Sequence, residues 1–297
     1  MAWCILFALA NDTEINAAST LSALVYSPYF NLSQTYFLVA GIAGINPYLG
    51  TTGSVTFAHY AVQFDLQYEF SASQIPSNDS SGYFPQNSYY PDSPNAYDYP
   101  LEIYGTEAFE LNENLKERFL YIANQTSLND TAGAAAYRQN YPYAPANQPP
   151  SVVACDTGTS NVYWSGSVLG DAFSNYTLLL TNGSGAYCAT QQEDNATLEA
   201  LLRAAIAGKV DFSRVAVMRT ASDFDRAPPN EGEVYHLLYA DQEGFLPSIE
   251  NIFIAGNAIV EDVLLYWDDV YKGGIAPGNY IGDLWNSLNY SIAADIG

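Results

Sequence analysis

Short apolar runs alternate with amphipathic stretches along this chain, and most runs end in a turn or a small polar residue. The first run is 5–10 (ILFALA), and Asn11-Asp12-Thr13 after it can cap a helix. Ile15, Ala18, Leu21 and Val25 follow at helical spacing. The run 36–40 ends at Gly41, and 55–57 together with the alternating Val62, Phe64, Leu66 and Tyr68 read as strands. Leu111, Leu115, Phe119 and Ile122 mark a helix, as do Leu198, Leu201, Leu202 and Ala205, closed by Gly208. Further strands are expected at 152–154, 215–218 and 252–255, with a helix over 258–271. Strands alternating with helices predict an α/β fold, a three-layer α/β/α sandwich on a largely parallel sheet. Ligands of such sheets sit beyond the carboxyl ends of the strands.

Two stretches lack periodicity. Residues near 71–100 and near 139–150 are rich in Tyr, Pro, Asn and Ser, and read as loop insertions or lids in a single domain over 1–297. No repeat is visible.

Composition narrows the possibilities. The 297 residues are 48% hydrophobic, enough for a sizeable core. Nine Lys and Arg against 32 Asp and Glu give a formal net charge of −23, which repels phosphate backbones and argues against nucleic acid. No stretch reaches the ~18 to 20 apolar residues that a membrane-spanning helix needs. The terminal run 2–10 can be read as a clipped secretory signal but lacks the basic start of one. The three cysteines allow one Cys155–Cys188 bond or buried thiols. His59 and His236 are the only histidines, with structural roles expected, and no Cys/His spacing suits a metal; no cofactor is expected. Nine Asn-x-Ser/Thr sequons begin at Asn11, Asn31, Asn78, Asn124, Asn129, Asn175, Asn182, Asn195 and Asn289. That excess points to a secretory or extracellular setting.

Four segments near strand ends carry candidate chemistry. Gly41-Ile42-Ala43-Gly44-Ile45-Asn46-Pro47 is either a tight turn or a place where backbone approaches a ligand. The segment from Asp156 to Trp164 ends in Tyr163 and Trp164, two aromatics that can stack on a planar base or fill a core. Gln191-Gln192-Glu193-Asp194-Asn195 can cap a helix or accept bonds from two sugar hydroxyls. Arg219-Thr220-Ala221-Ser222-Asp223 is a salt-bridged turn or holds a desolvated general acid.

In this order the four segments resemble the nucleoside phosphorylase superfamily. Gly41 to Ile45 is similar to its strand-end Gly-x-Ala-Gly, Gln192-Glu193 stands where it has Met-Glu, and Arg219 to Asp223 matches Arg-x-x-Ser-Asp. Within it, the chain is more similar still to the fungal purine nucleoside permease family. EINAAST from Glu14, YFLVAGIAGINP from Tyr36, GSVTFAHYAVQFDLQYEF from Gly53, QEDNATLEALLRAAIAGKVDFSR from Gln192, MRTASDFDRAPP from Met218 and GNYIGDLW from Gly278 carry that resemblance.

The resemblance implies a nucleoside phosphorylase-like fold, in which 5–10 is an interior strand. It implies a purine nucleoside or base as ligand. Glu193 would grip the ribose 2′- and 3′-hydroxyls beside Gln192, and Asp223, helped by Ser222, would protonate the purine N7. Tyr163 would stack on the base, Ala43 and Gly44 would line the sugar pocket, and Arg219 would lie near the attacking water. Phosphorylases hold phosphate with an Arg and a Ser near the strand-end glycine; Val39 and Ile42 stand there instead, which favours water as nucleophile. The chain is expected to begin about one strand and one helix late, without the loop whose glutamate activates water in nucleosidases. The function implied is a purine nucleoside N-ribohydrolase, with nucleoside binding or uptake as the alternative and a phosphorylase third. A homo-oligomer is compatible with the resemblance.

Overall fold

Alternate side chains of one long strand belong to two different cores, and this sets the architecture. In 215–218, Val215 and Val217 pack in one cluster while Ala216 and Met218 pack in another. A strand buried on both faces needs helices on both sides. The computed structural model describes residues 13–75, 81–86, 100 and 103–288. The runs at 5–10 and Asn11-Asp12, and residues 76–80 and 87–99 of the first loop, lie outside them.

The described chain runs α1 (Glu14–Val25), β1 (Phe37–Ile45), β2 (Val55–Phe57), β3 (Tyr60–Gln63), β4 (Tyr68–Glu69), β5 (Tyr83–Phe84), β6 (Ala108–Glu110), α2 (Glu113–Ala123), α3 (Ala132–Arg138), β7 (Val152–Ala154), β8 (Asp156–Thr159), α4 (Ser167–Leu180), β9 (Tyr187–Gln191), α5 (Asp194–Ile206), β10 (Val215–Phe224), α6 (Glu233–Leu238), α7 (Phe245–Leu265) and β11 (Gly282–Asp283). Nine strands form one sheet in the order β11-β6-β3-β8-β9-β1-β10-β2-β7. On one face, Leu21 and Val25 of α1 and Leu198 and Leu201 of α5 cover Val215 and Val217. On the other, Leu115 and Phe119 of α2 and Ala255 and Ile259 of α7 cover Ala216, Met218 and Phe57. The fold is therefore a three-layer mixed α/β sandwich around a large central sheet.

Two expectations change. The sheet is mixed rather than largely parallel. β1–β10, β2–β7, β3–β8 and β8–β9 pair parallel, whereas β1–β9, β2–β10, β3–β6 and β6–β11 pair antiparallel. The strand expected at 252–255 is the middle of α7, which buries Ser248, Asn251, Ala255 and Ile259. That three-to-four-residue spacing is helical, and a four-residue window is too short to show it. The loop near 139–150 is a loop as expected, anchored to the core by two residues. Tyr141 and Ala146 are fully buried against Ile45, Ala221 and Phe224, and Thr51 Oγ1 donates to the Ala146 carbonyl at 2.5 Å.

Helix ends follow their sequence signals. Asn112 accepts from Leu115 N–H at 3.3 Å to cap α2. Gly208, at φ +68°, ends the turn after α5, where a side chain would be strained.

Cys155 and Cys188 form a disulfide, with Cα atoms 5.8 Å apart, between the β7–β8 junction and β9. It closes a loop across 33 residues. Restricting that loop in the unfolded chain is worth about 3–4 kcal/mol. The reduced protein should therefore unfold in urea at a lower midpoint than the oxidised protein. Equal midpoints would contradict a formed bond.

Candidate functional site

Two parallel neighbours at the centre of the sheet, β1 and β10, bring the site residues to one end. Gly41 pairs with Arg219 and Ala43 with Ala221, but Gly44 pairs with Asp223, so Ser222 is an extra residue in β10. A bulge of this kind re-aims the side chains beside it. Here it lets two consecutive side chains meet: Ser222 Oγ donates to Asp223 Oδ1 at 2.6 Å, and lies 3.2 Å from the Ala43 carbonyl.

One face of the strand end holds a buried cation. The Arg219 guanidinium is 3% exposed and crosses directly over Gly41, where a Cβ would lie 2.4 Å from Nη1. Glycine at 41 is thus required by close approach rather than by a turn. Arg219 reaches the N-terminus of α5. Nη2 donates to Glu193 Oε1 at 2.6 Å and also to Asp194 Oδ1, while Nε meets Asp194 Oδ2 at 3.3 Å. Burial opposes the Arg219 charge, but Asp194 and Glu193 outweigh it and hold its pKa above the ordinary arginine value.

Glu193 sits at the N-cap position of α5, yet its side chain does not cap the helix. Gln191 does so instead, its Oε1 accepting from the N–H groups of Glu193 and Asp194 at 2.7 and 2.8 Å. Gln191 is itself fixed by donating to Thr157 Oγ1 and Thr159 Oγ1 at 3.0 and 2.8 Å. The cap read from this segment is therefore supplied by Gln191, while the Glu193 carboxylate pairs with Arg219. Beside them the amide nitrogen of Gln192 is buried without a hydrogen-bond partner among the described residues.

Asp223 opens on a cavity of about 280 Å3. Its walls include Trp164, Ser222, His236, Leu237, Gln242 and Phe245. Burial raises the Asp223 pKa above the ordinary aspartate value, against the opposing pull of the Ser222 hydrogen bond and the His236 charge. Gly44 lies beside Asp223 on β1, where a Cβ would meet Thr190 Cγ2 at 3.0 Å and Asp223 Oδ2 at 3.4 Å. A larger cavity of about 440 Å3 lies by Tyr60, Glu110, Thr181 and Tyr280, away from all of these groups.

The structure thus places Ser222 and Asp223 at the cavity, with Ala43 and Gly44 beside them on β1 but outside its lining, and Arg219, Glu193 and Gly41 in an ion cluster one step back along β1. Glu193 and Arg219 do not line the cavity. Tyr163 does not line it either: it is 76% exposed, and its neighbour Trp164 takes the wall position. Val39 packs into the core under α1 and α5. Gln242 was not singled out from sequence; Gln191 and Asp194 were read only as part of a candidate segment, and His236 only as structural. Their one available signal is a polar residue inside an otherwise apolar element, which a cap or a surface position produces equally well.

Residues 4–276 match the family model described as Purine nucleoside permease. The chain belongs to the purine nucleoside permease family. A purine nucleoside permease of Candida albicans is 46% identical over 283 residues, covering 93% of this chain and 68% of the relative. A probable purine nucleoside permease of Schizosaccharomyces pombe is 41% identical over 259 residues, 86% of this chain and 74% of the relative. Among solved structures, the 5′-methylthioadenosine/S-adenosylhomocysteine nucleosidase of Neisseria meningitidis matches 86% of this chain and 79% of its own, at 11% identity and TM-score 0.46. A futalosine hydrolase mutant of Helicobacter pylori matches 85% and 78%, at 13% identity and TM-score 0.43. For all the permease name, no helix among the described residues is long and apolar enough to cross a membrane.

The ion cluster yields a direct prediction. Asp194→Ala removes a fully buried partner and leaves the Arg219 charge underpaired, which should cost about 3–5 kcal/mol in urea unfolding. A loss within about 0.5 kcal/mol, the range of surface substitutions, would show that the cluster does not hold the strand end.

Proposed function

We propose that this protein is a purine nucleoside N-ribohydrolase. The observation that carries the proposal is Asp223: a desolvated carboxyl, one oxygen held by Ser222, opening on a cavity walled by the aromatic rings of Trp164 and Phe245. A carboxyl kept protonated by burial can donate its proton to the purine N7. The leaving base then takes the electron pair of the N-glycosidic bond as a neutral purine. Water supplies hydroxyl to C1′ of the ribose, and the water proton replaces the one that Asp223 gave up.

The other residues have supporting roles in this reading. Trp164 takes the stacking role on the base in place of the solvent-turned Tyr163. Ala43 and Gly44 leave room for the sugar, and Glu193 takes the ribose hydroxyls, with Gln192 beside it and its carboxylate oriented by Arg219. Arg219 acts through Glu193, because it is buried and engaged by two carboxylates. Val39 in the core and the apolar Ile42 offer nothing to phosphate, which favours water over phosphorolysis.

A second reading is a nucleoside-binding component of an uptake system, favoured by the names of the Candida albicans and Schizosaccharomyces pombe relatives. In that case translocation falls to a separate membrane protein.

The proposal extends to the setting of the chain. The disulfide and the exposed sequon residues Asn31, Asn124 and Asn182 support passage through a secretory pathway. Asn195 is excluded from modification in the folded chain, being 2% exposed and bonded to Thr159 and Thr106. Exposed apolar side chains on α6 and α7, such as Leu238, Leu246 and Phe253, support assembly of several copies.

Incubation with inosine, adenosine and guanosine, with and without phosphate, tests the function. The expected result is free base and free ribose without phosphate, with Asp223→Asn slowed by about 10²-fold or more. Full turnover in Asp223→Asn would refute the assignment of the acid. Tight nucleoside binding with no base released would favour the uptake reading.

A further inference from the structure

β10 outlasts its neighbour. β2 pairs with β10 only from Met218 to Thr220, and the last contacts on that side are Gly53 N–H to the Ala221 carbonyl at 2.7 Å and Ala221 N–H to the Ser54 carbonyl at 2.9 Å. On the other side β1 follows β10 to its end, where Asp225 N–H donates to the Ile45 carbonyl at 2.9 Å. The peptide groups of Phe224 therefore point toward the side that β2 has left. Phe224 is buried, and an unpaired peptide group there would cost about 1–3 kcal/mol.

Two side chains from the α6–α7 region take the place of the missing strand. Gln242 Oε1 accepts from Phe224 N–H at 2.8 Å, and His236 Nε2 lies 3.0 Å from the Phe224 carbonyl, to which it donates. Both residues are buried. The far side of the imidazole is held as well, with Nδ1 3.0 Å from Tyr137 Oη and 3.1 Å from Glu231 Oε1. The peptide they grip follows the bulge residue Ser222 and the carboxyl-bearing Asp223.

We propose that Gln242 and His236 are positioning residues, which lock the end of the β10 bulge and so fix the direction of the Asp223 carboxyl in the cavity. This inference rests on the hydrolase reading. It accounts for why each side chain turns a polar atom to the strand backbone, although Gln242 Nε2 and His236 Nε2 lie only 3.3 Å apart. Both side chains also border the cavity, so direct contact with substrate is the rival role that the test must separate.

A double-mutant cycle does so. Gln242→Leu withdraws the acceptor at similar volume, and Gln242→Glu keeps an oxygen there. In the full-length protein, Gln242→Leu should lower kcat by about 10-fold to 10²-fold, the scale of a misplaced catalytic group, with KM changed less than about 3-fold. Gln242→Glu should restore most of kcat. In the Asp223→Asn background, Gln242→Leu should have no further effect, because the two residues act as a unit. Should Gln242→Leu not fold, judged by circular dichroism, Gln242→Ser withdraws the same acceptor with a smaller side chain and reads the same cycle. The proposal is overturned if the loss is equal in both backgrounds, if KM alone rises, or if kcat is unchanged. An unaltered kcat in Asp223→Asn itself would instead remove the hydrolase reading, and this inference with it.

Discussion

A guanidinium buried in the middle of a sheet must be paired, and the Arg219 cluster shows how much of a fold one such obligation can organise. Arg219 stands on β10, passes over Gly41 of β1 and ends between Glu193 and Asp194 at the start of α5. The two central strands and the helix above them are thereby fixed to one another at a single point. Gln191 belongs to the same obligation, since by capping α5 it leaves the Glu193 carboxylate available to the arginine. Removing one partner leaves a charge in a place that water does not reach, so this cluster tolerates change poorly.

The same strand end performs an opposite electrostatic task a few residues on. Glu193 and Asp194 meet a cation, whereas Asp223 meets a hydroxyl, aromatic walls and a glycine. The first environment stabilises charge; the second withholds that support, and burial drives the Asp223 pKa upward. In the hydrolase reading these two environments have separate tasks: one carboxyl protonates the departing base and another holds the sugar. Asp225 is pushed up by burial too, but it is tied to Arg226 and Tyr187 and serves packing rather than the cavity.

Much of the fold was legible in the sequence where periodicity and caps agreed. The strands at 55–57, 152–154 and 215–218 and the helices beginning at Glu113 and Asp194 stand near where their patterns place them. Strand direction was not legible, because pairing partners lie far apart in the chain and apolar runs are the same in either direction. The run 252–255 misled because α7 is apolar on more than one side, so a short window showed no helical period. In the site, the motif residues could be named but their division of labour could not. Gly41 reads as a turn until Arg219 lies across it, and Tyr163 and Trp164 are equivalent in sequence until one is turned to solvent. Gln242 was invisible, and His236 was read only as structural, because their shared role exists only where β2 stops short.

The central claim is that burial keeps Asp223 protonated for delivery to a purine. The pH dependence of kcat/KM for purine nucleoside cleavage tests it most directly. A group whose folded pKa is raised holds its proton to higher pH, so the active form prevails below that pKa and is lost above it. The account predicts a rate that is level in acid and falls as pH rises through the Asp223 pKa, a limb that disappears in Asp223→Asn. A rate that rises over that range, or a falling limb that survives in Asp223→Asn, would contradict it.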